Sequence, residues 1–138
     1  MDRTLGLVLA AAAGLVAVLL TGALAAAAVA APLPPAARTE VDALLSKLEA
    51  SGCQFGRNGT WYSSAEARSH LLRKLTYLED RGAVQSAEQF IELAASTSST
   101  TGQPYLVRCD GGVPVQSGTW LRSQLQTMRS ATPARRAP

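Results

Sequence analysis

The chain has 138 residues and a formal net charge of +3, and 47% of its residues are hydrophobic. This length suits a single domain and is too short for two hydrophobic cores of ordinary size. The basic residues are dispersed, and the only adjacent pairs are Arg73-Lys74 and Arg135-Arg136. Because nucleic-acid binding needs a dense positive patch that neutralises several phosphates, we expect no nucleic-acid partner.

The first segment of the chain is apolar. From Leu5 to Ala31 the sequence contains no charged residue, and small residues at 23–25 and 28–30 form A-x-A cleavage sites. This pattern predicts that residues 1–30 are a signal peptide and that the protein is periplasmic or secreted. An uncleaved transmembrane anchor is the alternative, because about 20 apolar residues can span a bilayer. After cleavage we expect no association with the membrane.

A Pro/Ala linker is predicted over residues 31–38, and the first helix follows it. Thr39 is a good N-cap residue, and the apolar side chains after it recur with the spacing of one helical face. Gly52 is suited to the C-terminal end of this helix. The apolar face consists of Val41, Leu44, Leu45 and Leu48.

Residues 53–62 are predicted to form a β-hairpin. Asn58-Gly59 supplies the positive φ angles that a tight hairpin turn requires, between the apolar residues Phe55 and Trp61. The side chain of Arg57 is therefore predicted to be exposed at the tip of this hairpin.

Cys53, at the start of the hairpin, and Cys109 are the only cysteines in the sequence. In an exported protein an even number of cysteines indicates a disulfide, which here would stabilise by about 4 kcal/mol in the chain-entropy model. Two free buried thiols or a redox pair are the alternatives, although a redox pair usually has C-x-x-C spacing. No metal is expected, because two cysteines and a single histidine do not complete a tetrahedral site without carboxylates.

Two further helices are predicted in the middle of the chain. Ser63-x-x-Glu66 is a capping box that starts the second helix, and Gly82 ends it. The third helix starts at Ser86 and ends in a run of serine and threonine residues at 96–101. The apolar positions are Ala67, Leu71, Leu75 and Leu78 in the second helix and Ala87, Phe90, Ile91 and Ala94 in the third.

The second half of the chain again has a hairpin followed by a helix. Residues 105–109 and 113–116 are predicted strands, and Pro114 suggests that the latter lies at a sheet edge. A last helix follows Ser117. A disordered tail is predicted over residues 131–138, which contain two prolines and two arginines.

Together these elements predict one α+β domain over residues 39–130, in which two hairpins form a small antiparallel sheet packed with about four helices. The halves also share a short motif, since Arg68-Ser69-x-Leu71 matches Arg122-Ser123-x-Leu125. If this similarity reflects a repeat, Cys53 and Cys109 lie near equivalent strand positions.

Four motifs agree with a known family in order and spacing: GCxFxRNGxxY at 52–62, EAxxHLxxK at 66–74, SAExFI at 86–91 and SSxxGxPY at 98–105. On these motifs the sequence resembles the YfeK-like family of small exported bacterial proteins of unknown function, over residues 39–129. The resemblance implies export to a bacterial envelope and a single domain. It implies no activity, catalytic residue or ligand, because the family has none assigned.

His70 is the only histidine and is therefore the first candidate for general acid-base chemistry. Glu66, His70 and Lys74 lie at i, i+4 and i+8 of the second helix, where the imidazole could activate a hydroxyl group from residues 96–101. A solvated row of charged residues is the alternative. We favour the alternative, because the sequence has no nucleophile motif such as G-x-S-x-G.

The hydroxyl-rich run at residues 96–101 could bind an anion or a glycan through hydroxyl and backbone N–H groups. It follows the C-terminal end of a helix, however, where the helix dipole disfavours anions. A structured loop, held by hydrogen bonds between its own side chains and backbone, is the alternative.

Aromatic residues together with an arginine could form a recognition surface, because Trp, Tyr and Arg are enriched in binding hot spots. A place in the hydrophobic core is the alternative, since a small domain with few aromatic residues needs most of them there. The binding candidates are Arg57, Asn58, Trp61, Tyr62, Ser98, Ser99 and Tyr105, with Trp120 on a nearby element.

The sequence contains no recognisable catalytic constellation and no cofactor motif. We therefore predict a non-enzymatic binding or accessory module of the bacterial envelope, a monomer without a cofactor that acts on an unknown protein or envelope ligand. A hydrolase-like enzyme that uses His70 is the alternative. Structural support of the envelope is a third hypothesis, for which no residue is diagnostic.

Overall fold

The computed structural model describes residues 31–132, which form four helices and four strands. In chain order the elements are α1 (Pro35–Ala50), β1 (Gln54–Arg57), β2 (Thr60–Tyr62), α2 (Ser64–Glu79), α3 (Ala87–Ala94), β3 (Leu106–Arg108), β4 (Val115–Gln116) and α4 (Ser117–Ala131).

The strands form one antiparallel sheet with the order β2-β1-β3-β4. Each hairpin supplies one central and one edge strand, and the two hairpins meet where β1 pairs with β3. In the register, Phe55 of β1 lies opposite both Tyr62 of β2 and Val107 of β3. The predicted α+β fold, with two hairpins and four helices in one domain, is confirmed.

The Cys53–Cys109 disulfide closes one end of the central strand pair, with the two Cα atoms 4.3 Å apart. Cys53 comes just before β1 and Cys109 just after β3, so the cysteines are not at equivalent positions in the two hairpins. The prediction of equivalent positions is wrong for a geometric reason. Since β1 and β3 are antiparallel, the start of one strand lies beside the end of the other.

The predicted apolar face of α1 is buried, and all four of its residues are at most 1% exposed. The helix begins at Pro35, however, and not after an N-cap at Thr39. Proline suits the first helical position, where its missing N–H leaves no hydrogen bond unmade. Leu33 and Ala37 are also buried, so part of the predicted linker packs against the core.

Local signals fix the start of α2 directly beside the first hairpin. Asn58 and Gly59 have φ angles of 50° and 81°, as the predicted tight turn requires. The Ser63 hydroxyl accepts a hydrogen bond from the Glu66 N–H, and the Glu66 carboxylate accepts one from the Ser63 N–H at 2.8 Å. The predicted capping box is therefore confirmed, and it holds α2 close to the end of β2.

The predicted signal peptide at residues 1–30 lies outside the described residues, as does the tail from residue 133 onward. Residue 131 of the predicted tail is the last residue of α4. Within residues 31–132, none of the helices has the length and apolar character that crossing a membrane requires.

Candidate functional site

A pocket with a volume of about 410 Å³ lies between the first hairpin and α2. Arg57 and Tyr62 point to the same side of the sheet as the buried Phe55, because side chains alternate along a strand and Phe55 pairs with Tyr62. The pocket is lined by Phe55, Gly56, Arg57, Tyr62, Ala65, Glu66, Ala67, Ser69, His70, Leu71, Arg73, Tyr105 and Ser117.

His70 lies in the middle of α2 and is hydrogen-bonded on both sides of its ring. Its Nδ1 atom is 2.8 Å from the Arg57 guanidinium, and its Nε2 atom is 3.1 Å from the Tyr105 hydroxyl. A guanidinium can only donate, so Nδ1 must accept. The ring proton is therefore on Nε2, which donates to the Tyr105 oxygen.

The pKa of His70 is lowered to about 4, chiefly by burial and then by the positive charges of Arg57, Lys74 and Arg73. The imidazole is consequently neutral at pH 7, in agreement with the tautomer that the hydrogen bonds require. A neutral ring can accept from Arg57, whereas a protonated ring would repel it.

The Tyr105 hydroxyl oxygen accepts two hydrogen bonds. One comes from His70, and the other comes from the Lys74 ammonium at 3.2 Å. Lys74 also donates to the Thr97 carbonyl at 3.1 Å, and burial together with Arg57 lowers the pKa of Lys74. Because both neighbours of the Tyr105 oxygen are donors, its own proton has to point elsewhere and can be donated to a ligand. Burial raises the pKa of Tyr105, which keeps that proton in place.

Arg57 is half-buried, so the prediction that its side chain is exposed at the hairpin tip is wrong. Besides its bond to His70, the guanidinium donates to the Tyr62 hydroxyl at 3.3 Å and lies 5.0 Å from the centre of that ring. A guanidinium has five N–H groups, so three of them have no partner among the described residues. Packing of α2 over the hairpin causes the burial, since it brings His70 within reach.

Ser117 adds a buried polar group to the pocket wall. The residue is only 2% exposed, and its hydroxyl makes no hydrogen bond within residues 31–132, although the residue lines the pocket. Ser117 is also the first residue of α4, so the positive end of the helix dipole lies beside the pocket. Neither Ser117 nor Arg73 was among the predicted site residues, because nothing in their local sequence marks them.

The family of unknown function DUF5329 matches residues 35–129, the region in which this pocket lies. The chain belongs to this family. It is also 42% identical over 66 residues to "Uncharacterized protein YfeK" of Salmonella typhimurium strain LT2, which covers 47% of this chain and 53% of that protein. The matched region thus spans about half the length of this relative. No solved structure matches the chain.

The candidate residues Asn58 and Ser98 meet outside the pocket in this DUF5329 domain. The Asn58 side chain donates to the Ser98 hydroxyl at 3.2 Å and accepts from the Thr101 hydroxyl at 2.6 Å. Ser98 is buried, whereas Ser99 is exposed. These bonds attach the hydroxyl-rich run to the hairpin tip, so the geometry corresponds to the structured-loop interpretation.

The aromatic candidates do not share one surface. Trp61 faces the opposite side of the sheet from Tyr62, where Arg108 lies 4.0 Å from the centre of its ring. Trp120 contacts Phe55 edge to face at 6.0 Å. Of the predicted aromatic surface, only Tyr62 and Tyr105 line the pocket together with Arg57.

The arrangement around His70 differs from that of a Ser-His-acid site. The Nδ1 atom is bonded to Arg57 and the Nε2 atom to Tyr105, and neither residue is an acid that could orient the ring. The Glu66 carboxylate is turned to the Ser63 N–H, which lowers the pKa of Glu66. Within the described part of the chain, no three His, Cys, Asp or Glu residues are grouped so that they could hold a metal ion.

Proposed function

We propose that this domain is a non-enzymatic binding module of the bacterial envelope and that it holds an anionic ligand in the pocket between the hairpin and α2. One observation carries the proposal. Arg57, Arg73 and Lys74 lie at or beside the pocket, and within residues 31–132 none of them forms an ion pair. In the same region Arg38, Arg68, Arg122 and Arg129 pair with glutamates, whereas the other cations without an ion pair, Lys47, Arg81 and Arg108, do not line the pocket.

Burial strengthens this argument. The charge of Arg57 is half-buried beside a neutral histidine, and a buried charge without a counterion is costly. An anion that enters the pocket would supply the missing counterion. The pocket volume is also within the range of about 300 to 1,000 Å³ that is usual for small-molecule sites.

The bonds of His70 favour binding over hydrolysis. A general base needs a lone pair that can face a nucleophile, but Nδ1 already accepts from Arg57 and Nε2 carries the proton. The nearby Ser98 hydroxyl is bonded to Asn58 and Thr100. His70 therefore acts as a positioning residue that orients Arg57 and Tyr105.

An envelope location accords with the cysteine chemistry. The disulfide between Cys53 and Cys109 is of the kind that persists in oxidising compartments, such as the bacterial periplasm. The predicted signal peptide and the resemblance to exported proteins point to the same compartment. We propose that the mature protein is a monomer there and needs no cofactor.

The test is whether small anions from envelope extracts perturb the pocket. Backbone amide NMR spectra of the purified protein should show shifts at residues that line the pocket, and Arg57→Gln should abolish them. Arg108→Gln is the matched control, because Arg108 also lies over an aromatic ring but on the opposite face of the sheet. Turnover of an ester or peptide substrate that His70→Gln abolishes, in a variant that still folds, would instead support the hydrolase.

A further inference from the structure

The hydrogen-bond donors in the pocket define what kind of anion it can hold. Arg57 has three N–H groups without a partner among the described residues, and Tyr105 has a phenolic proton that neither neighbour can accept. Ser117, which is 2% exposed as a residue and lines the pocket, adds a hydroxyl group that makes no hydrogen bond within residues 31–132. This set can satisfy the two oxygens of one planar group through charge-assisted hydrogen bonds.

The charge around the pocket favours a single negative charge. Arg57 is half-buried and lines the pocket, whereas Arg73 is exposed to solvent and the Lys74 ammonium is already bonded to Thr97 and Tyr105. Glu66 also lines the pocket; its carboxylate is bonded to the Ser63 N–H, and its negative charge would repel a second negative charge on a ligand. A carboxylate therefore suits the site better than a phosphate, which carries up to two charges and three acceptor oxygens.

The rest of the pocket wall is apolar. Phe55, Ala67 and Leu71 are buried in the core and present hydrocarbon to the cavity, while Ala65 is exposed at its edge. A ligand that consisted only of a carboxylate would leave this wall in contact with water. Burial of an apolar group against it contributes about 25 cal/mol for each Å² removed from water.

We infer that the pocket binds a monocarboxylate attached to an apolar body, with the carboxylate at Arg57 and Tyr105 and the apolar body against Phe55 and Leu71. This inference rests on the proposed function and narrows it to one ligand class. Fatty acids and amino acids with a blocked amino group and an apolar side chain share this chemistry.

Four probes test the ligand class by calorimetric titration of the purified protein. Octanoate and N-acetyl-phenylalanine represent the two sources of an apolar carboxylate, octanamide lacks the charge, and octyl phosphate has the wrong anion. We expect at least one of the carboxylates to bind at least about tenfold more tightly than octanamide, as loss of charge-assisted hydrogen bonds predicts. Tighter binding of octanoate would indicate a fatty acid, and tighter binding of N-acetyl-phenylalanine would indicate an amino acid with a blocked amino group.

Two variants then locate the carboxylate. Tyr105→Phe keeps the ring but removes the proton, and Ser117→Ala removes only the hydroxyl; each should weaken binding of the better carboxylate by about three- to tenfold. Arg108→Gln on the opposite face should change affinity less than twofold. Thermal melting shows whether Tyr105→Phe still folds, and Ser117→Ala with the octanamide comparison remains decisive if it does not.

The outcomes separate the two proposals. Tighter binding of octyl phosphate than of either carboxylate would overturn the ligand class and leave the anion-binding module intact. If neither carboxylate nor octyl phosphate binds more tightly than octanamide, Arg57 holds no anion, and both proposals are overturned. Binding that Arg108→Gln weakens more than Arg57→Gln would place the ligand on the other face of the sheet and overturn the assignment of the pocket.

Discussion

Two arginines next to the first hairpin have similar partners but different surroundings. Arg57 lies over Tyr62 on the face of the sheet that α2 covers, and Arg108 lies over Trp61 on the opposite face. The guanidinium of Arg108 donates twice to the Gln54 amide oxygen, at 2.6 and 3.2 Å. That of Arg57 donates to a neutral histidine and a phenol, and each guanidinium has three of its five N–H groups without a partner in the described structure.

The comparison shows that an arginine stacked on an aromatic ring is not by itself a binding site. Arg108 and Trp61 are also half-buried, but they lie on the opposite face of the sheet and do not line the pocket beside α2. Arg57 and Tyr62 form one wall of the pocket, and α2 shields them from part of the solvent. Whether such an arginine can bind a ligand therefore depends on the residues across the cavity from it. For Arg57 these are His70 and the apolar side chains of α2.

The largest expected effect comes from the disulfide, which joins the two strands that carry these arginines. Replacing both Cys53 and Cys109 with alanine should lower the free energy of unfolding by about 2 to 4 kcal/mol and the melting temperature by about 8 °C or more. Calorimetry with and without reductant measures this. The double variant should be insensitive to reductant, and alkylation of both thiols in unreduced wild-type protein would contradict the prediction.

Strain at the hairpin turn should have the next largest effect. Gly59 has a φ angle of 81°, which a β-branched residue adopts only at a cost, so Gly59→Val should destabilise by about 1 to 3 kcal/mol. Gly59→Asn is the matched control and should be milder, because asparagine tolerates this region. Urea denaturation measures both, and equal losses for the two variants would show that strain is not the cause.

Arg57→Gln should destabilise by about 1 to 2 kcal/mol, because it leaves the half-buried His70 Nδ1 atom without its donor. Arg108→Gln should cost less, about 0.5 kcal/mol, because the exposed Gln54 amide oxygen that loses its donor can bind water instead. Urea denaturation of both variants measures the difference between the two arginines. A larger loss of stability for Arg108→Gln would show that the contacts on the opposite face of the sheet, and not those in the pocket, hold the hairpin in place.

The last effect depends on pH. His70 has a pKa of about 4 in the folded protein and about 6.5 when unfolded, so the unfolded state binds the extra proton between these values. The contribution of neutral His70 to stability is thus complete above pH 6.5 and is lost as the pH falls towards 4. Arg57, Lys74 and Arg73 all oppose its protonation.

The difference in the free energy of unfolding between wild type and His70→Gln measures the contribution of His70 to stability. It should shrink from pH 7 to pH 4.5, while the titration of carboxylates such as Glu66 and Glu88 is common to both proteins. NMR titration of the His70 ring provides a second measurement. A pKa at or above 6.5 would show that neither burial nor the neighbouring cations disfavour protonation of the ring and that the Arg57 bond does not form as described.

Signals that act within a few residues were readable from the sequence. Ser63 and Ser86 cap α2 and α3 as predicted, and the Asn58-Gly59 turn has the predicted positive φ angles. Each cap depends on a serine hydroxyl that accepts from a backbone N–H three positions away, and the turn depends on φ angles that asparagine and glycine tolerate. The N-terminus of α1 was the exception, because proline suits both a linker and the first helical position.

The amino-acid sequence by itself determined the α+β fold, the two hairpins, the disulfide and the family. Only the tertiary structure decided the site, since it joins Arg57 to His70 across 13 positions and His70 to Tyr105 across 35. Strand register put Tyr62 on the pocket side and Trp61 on the other. These contacts arise from the packing of α2 across the sheet, and no local pattern specifies the distance between side chains so far apart in the chain.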